Sequence, residues 1–86
     1  MATEKLQQLG ELAAALGEFV DRLGLTEPDK AALIAEVDAI RSALVYGGAP
    51  EDLTLRLRAV RGILQSSGEN RLAGAALAEI DSILGD

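Results

Sequence analysis

The chain has no histidine, no cysteine and no tryptophan, and only one phenylalanine and one tyrosine. Each absence removes a class of chemistry. Without histidine, the commonest general base and the commonest metal ligand are missing. Without cysteine there are no thiol nucleophiles, no disulfides and no thiolate zinc sites. Small secreted domains usually need disulfides, so the composition points to a reducing, cytoplasmic setting. Aromatic and β-branched residues are scarce, which disfavours strands. Positive charge is also in short supply, with eight Lys and Arg against fourteen Asp and Glu, a net of −6. That balance opposes nucleic-acid binding, which depends on many phosphate contacts. The longest uninterrupted apolar-or-glycine run covers residues 72–78, far short of the roughly twenty that span a membrane. The opening Met-Ala-Thr-Glu-Lys lacks the features of a signal peptide. The chain reads as soluble, with no membrane partner.

What remains is a Leu-rich, Ala-rich supply of apolar side chains: fifteen Leu, five Ile and four Val in 86 residues. That length corresponds to one domain spanning residues 1–86, which buries only about 60–65% of its unfolded surface. Apolar residues recur with helical spacing in four segments. The first helix covers residues 4–23, with Thr3 as a candidate N-cap. Leu6, Leu9, Ala13, Leu16, Val20 and Leu23 form its stripe, widened by Leu12 and Phe19. Gly10 and Gly17 inside it mark a kink or a close helix approach. Gly24 then suits a left-handed C-terminal position, with Leu25 making the hydrophobic contact beyond it.

Thr26-Glu27-Pro28-Asp29 is the clearest helix start, with Thr26 as cap and Asp29 completing a capping-box-like pattern. Leu33, Val37, Ile40 and Leu44 line that second helix, with Ile34 and Val45 beside them, until Gly47-Gly48 stops it. The third begins at Pro50, followed by Glu51 and Asp52. Leu53, Leu57, Val60 and Leu64 make its stripe, Ile63 lies alongside, and Leu55 falls off it. Ser66-Ser67-Gly68 breaks the chain, and Ser67 is the candidate cap for a fourth helix over residues 69–84. That helix is apolar or small on every face from Leu72 to Ala78, and Ile80, Ile83 and Leu84 continue its stripe. A helix apolar all round is usually buried on more than one side. Loops of three to five residues make sequential helices antiparallel. The expected fold is an all-α, up-down-up-down four-helix bundle, with a first helix broken at Gly10 or Gly17 as the alternative.

No catalytic, cofactor-binding or metal-ligating set stands out, and an enzyme is not expected. Glu11, Glu18, Asp21, Glu36 and Asp38 form no Glu-x-x-His pair and no calcium-loop pattern. Asp81-Ser82-Ile83-Leu84 raises the question of an acyl carrier. A carrier serine should open a mid-chain helix, whereas Ser82 lies late in the fourth, where an exposed polar residue is the plainer reading. The candidate interface residues are of three kinds. Arg56, Arg58 and Arg61 concentrate positive charge on the third helix; Arg56 can pair locally with Asp52, or the three can dock on an acidic partner. Tyr46 either covers the end of the bundle or anchors an interface, and Leu55 is apolar but off the core stripe. Gly74, Ala75 and Ala76, with Ala78 nearby, permit close approach by the first or second helix, or by a second copy of the chain.

Residues 26–84 carry one further pattern. Leu25-Thr26-Glu27-Pro28-Asp29 precedes a helix with Leu33, Ile40 and Leu44. Pro50 and Leu57-Arg58-Ala59-Val60-Arg61-Gly62-Ile63-Leu64 follow. Asn70 then leads into Leu72-Ala73-Gly74-Ala75-Ala76-Leu77. This two-thirds of the chain resembles a helical module of bacterial conflict proteins of the abortive-infection and effector-associated kind. The resemblance implies a non-catalytic adaptor that joins sensors to effectors by like-with-like contacts, as death-fold domains do. Death folds carry six short helices, whereas four are read here unless the first is broken.

The expected function is a protein-interaction or oligomerisation module, and its more specific form is an adaptor in a bacterial defence system. Its partner would be another copy or a helical protein domain. The alternatives are a carrier or docking domain of a multienzyme assembly and a purely structural bundle, natural or engineered. Interior glycines and the irregular Ser66-Ser67-Gly68 loop argue against an idealised design.

Overall fold

The computed structural model describes residues 3–67 and 70–85. Four α-helices account for most of them: α1 (Thr3–Phe19), α2 (Glu27–Tyr46), α3 (Pro50–Gln65) and α4 (Arg71–Leu84). Among the described residues there is no strand. Each helix packs on its sequence neighbour, and α4 returns to α1 to close the ring. This is the expected all-α four-helix bundle. The Cα radius of gyration is 11.8 Å, against about 12 Å for a folded domain of this length. The helices are therefore fully drawn together.

The core explains the arrangement. Leu9, Leu12, Ala13 and Leu16 of α1 meet Leu33, Val37 and Ile40 of α2, Leu53, Leu57, Val60 and Leu64 of α3, and Ala73, Ala76, Ile80 and Ile83 of α4. These are the stripes the spacing predicts, with Ala73 and Ala76 added. No polar or charged side chain is buried among the described residues. Cohesion is therefore a matter of apolar burial, at about 25 cal/mol per Å² removed from water.

Local signals set the helix ends. Thr26 accepts a hydrogen bond from the Asp29 backbone N–H at 3.4 Å. The Asp29 carboxylate does not complete the box; it lies 3.0 Å from the Ser66 hydroxyl at the end of α3, whose single proton it shares with the Ile63 carbonyl at 2.6 Å. Gly24 adopts φ 71° and Gly47 φ 84°, the left-handed conformation that releases each helix. Three details differ from expectation. Thr3 lies in the first turn of α1. The α1 helix gives way after Phe19 to a 3₁₀ turn, Val20–Arg22, a tightening that lets terminal carbonyls find donors before the chain reverses. The cap of α4 is Asn70, which accepts from Ala73 N–H at 3.0 Å. Ser67 instead donates back to the Leu64 carbonyl at 2.7 Å. The expected start at Glu69, like Gly68, lies outside the described residues.

Neither Gly10 nor Gly17 breaks α1. Both face α2, where an added Cβ would stand 3.7 Å from Leu44 and 3.9 Å from Val37. Those are ordinary contact distances, so an alanine would fit at either position and neither glycine is needed for the approach; the described chain keeps four α-helices instead of six. Lys30 holds α2 against the 3₁₀ turn, lying 3.2 Å from Glu27 and 3.4 Å from Asp21. The Glu27 hydrogen bond, then that of Asp21, raises its pKa above the usual 10.5. A raised lysine contributes stability below its unfolded pKa and loses it as pH rises through the folded one.

The glycines give a direct test of this packing. A Cβ at Gly74 meets nothing within 4 Å, whereas at Gly48 it would lie 2.7 Å from the Ala43 Cβ. Gly74→Ala should raise unfolding stability by about 0.5–1 kcal/mol through helix propensity. Gly48→Ala should lower it by about 1–3 kcal/mol through overpacking. Urea unfolding midpoints measure both.

Candidate interaction surface

The seam between α1 and α4 is pinned at both ends by polar contacts. At one end the Lys5 ammonium donates to the carbonyls of Ile83 at 3.0 Å and Ser82 at 3.4 Å. A cation is well placed there, at the negative end of the α4 dipole. At the other end Asn70, while capping α4, donates through Nδ2 to the Arg22 carbonyl at 2.9 Å. These contacts set α4 antiparallel to α1.

Between the pins the seam opens. Glu11, Leu12, Ala15, Leu16, Phe19 and Leu23 form one wall; Leu72, Ala75, Ala76 and Glu79 form the other. They enclose a groove of about 320 Å³, at the low end of the range for binding pockets, about 300–1,000 Å³. It exists because three positions along the seam, Ala15, Ala75 and Ala76, carry only a methyl group. The floor is apolar, and Glu11 and Glu79 are its only charged lining residues. Neither makes an ion pair among the described residues. Toward the end of α1 the Arg22 guanidinium lies over the Phe19 ring, 5.8 Å from its centroid. A second depression, between α1 and α2, is lined by Glu18, Asp38 and Arg41 as well as by Ile34 and Val37.

The small-residue stretch of α4 divides between these surroundings. Ala76 is buried, Ala75 is exposed in the groove wall, and Gly74 and Ala78 face solvent. Helix α4 packs chiefly on α1 and α3, and a Cβ at Gly74 would meet nothing within 4 Å, so Gly74 serves no internal approach. The excess apolar surface of α4 is a groove wall plus a bare outer face, not a second buried side.

The arginines separate. Arg56 turns to α2, 3.4 Å from Glu36, and also reaches Asp52 at 3.3 Å, the expected local pair. Arg61 turns to α4 and pairs with Asp81 at 3.3 Å. Arg58 points outward and makes no ion pair among the described residues. With 100° between successive residues, Arg58 and Arg61 lie about 60° apart and Arg56 stands away from both; because Arg61 is turned to Asp81, Arg58 is the arginine of this cluster that points outward. Leu55, 64% exposed, lines a shallow outer patch with it. Tyr46 is 86% exposed and so does not cover the bundle end.

Sequence reasoning did not find the groove, Lys5 or the second role of Asn70. The signal available was the wide apolar arc on both helices, Leu12 to Leu23 on one and Leu72 to Ala76 on the other. Which arcs become neighbours is a tertiary fact. Among the described residues no helix is long and apolar enough to cross a membrane, and no cluster of side chains could hold a metal ion. The chain matches no family model, no curated protein and no solved structure.

If the groove is an unfilled seam, filling it should stabilise the fold. Ala15→Leu adds three carbons at a half-buried wall position. At about 0.8 kcal/mol per buried CH₂, discounted for partial burial, it should add about 1 kcal/mol to unfolding stability. A loss of stability in urea titration would mean that the seam is already filled.

Proposed function

We propose that this chain is a non-enzymatic protein-interaction module that receives an apolar segment of a protein partner in the α1–α4 groove. The observation that carries this reading is the groove, an apolar trough between two helices pinned together at its ends. Helix-in-groove recognition uses such a surface, with apolar anchors at helical spacing and charge at the rim setting orientation. The resemblance over residues 26–84 supplies a setting, an adaptor in a bacterial conflict system; the composition adds a cytoplasmic location and contacts with protein, not with nucleic acid or membrane. The carrier alternative is not favoured, because Ser82 lies in the last turn of α4 instead of opening a helix.

A photo-crosslinking amino acid at position 75 tests the groove, with position 31, exposed on α2, as control. Discrete protein adducts at 75 that are absent at 31 are expected, whether with this chain or with another protein. Equal or absent crosslinking at the two positions would overturn the reading.

A further inference from the structure

We infer that the occupant of the groove is the outer face of α3 from a second copy of this chain, docked head to tail. The inference rests on the groove reading above and names its partner. The two surfaces carry matching patterns. On α3, Glu51, Leu55, Arg58 and Gly62 are all exposed. Spaced at i, i+4, i+7 and i+11, they form one ridge opposite the core stripe. The ridge reads acid, apolar knob, base, glycine. Along the groove, Arg22 stands at one end over Phe19, Ala15 and Ala75 leave space in the middle, and Glu11 and Glu79 follow.

Laid parallel to α4, the α3 ridge brings each element to its complement. Leu55 enters above Ala15 and Ala75, Arg58 approaches Glu11 and Glu79, and Glu51 approaches Arg22. The seven residues from Glu51 to Arg58 rise about 10 Å, and the eleven from Glu11 to Arg22 about 16 Å; the flexible charged side chains span the difference. The reverse orientation sets Glu51 against two glutamates and Arg58 against Arg22. Charge therefore selects one direction. Gly62 removes a side chain farther along the ridge, where the second helix must lie close.

The docked faces lie on different helices, so the contact is heterologous. Each copy keeps a free groove and a free ridge, and association continues in a chain unless geometry closes a ring. A net charge of −6 per copy opposes assembly. At 0.15 M salt the screening length is about 8 Å, so distant repulsion is muted while touching pairs persist.

Sedimentation velocity of the full chain at 0.15 M salt, from about 10 μM to about 1 mM, tests this. The weight-average mass should climb above the monomer mass of 9.0 kDa as concentration rises. Leu55→Glu spoils the ridge and Ala75→Glu the groove, both at exposed positions, and each variant alone should stay monomeric. Mixed, they should form a capped one-to-one pair, because one intact ridge meets one intact groove. Arg58→Glu, which removes no ion pair among the described residues, should weaken association at least tenfold and checks the result if either other variant loses helicity. A wild-type mass fixed at the monomer value, a single variant that assembles like wild type, or variants that fail to pair would each overturn the self-docking. Crosslinks from position 75 to a different protein, with the chain monomeric, would overturn self-docking and leave the groove reading standing.

Discussion

Three of the four helix contacts in this bundle are tethered by short turns, which bring sequential helices together at little entropic cost. The contact between α1 and α4 has no such tether. It joins residues 48 to 78 positions apart, and side chains alone must specify it. The ring closes because Ala73, Ala76, Ile80 and Ile83 enter the common core, while Lys5 and Asn70 hold the two ends of the seam. The core contains no buried polar side chain among the described residues, so these peripheral hydrogen bonds set where α4 lies along α1. The apolar stripes favour burial without dictating register so sharply.

This division between core and seam leaves the groove. Alanine at 15, 75 and 76 permits approach without filling the space between the helices. Larger residues there would bury more apolar area, so the open seam forgoes stability that the fold could have. Protein surfaces commonly give up stability where binding needs an accessible site. The acids beside the groove and the arginine at its end give the seam a direction that plain hydrophobicity lacks.

Much of the fold was legible in the order of residues. The four stripes, the Thr26 cap, the Pro28 and Pro50 starts and the glycine ends at 24 and 47 are local features with local causes, and the helices follow them. The cap of α4 was misread because both Ser67 and Asn70 have capping side chains; Ser67 turned back to its own helix, which serine does readily. The arginine cluster formed the expected local pair of Arg56 with Asp52, but its members turn to different neighbours. Positions 56, 58 and 61 point to α2, solvent and α4 in turn. Tyr46 looked like a lid because it precedes two glycines, but the left-handed Gly47 turns the chain away and leaves the ring in solvent. The groove was not legible, since it depends on which arc of α1 meets which arc of α4.

The central claim is that apolar surface between α1 and α4 stands open to water. Solvent paramagnetic relaxation of the alanine methyl groups, measured on dilute protein with a neutral gadolinium chelate, tests it directly. The account predicts strong enhancement at Ala75, comparable to exposed Ala31, and almost none at fully buried Ala73. An Ala75 methyl as protected as that of Ala73 would show a closed seam and contradict the account.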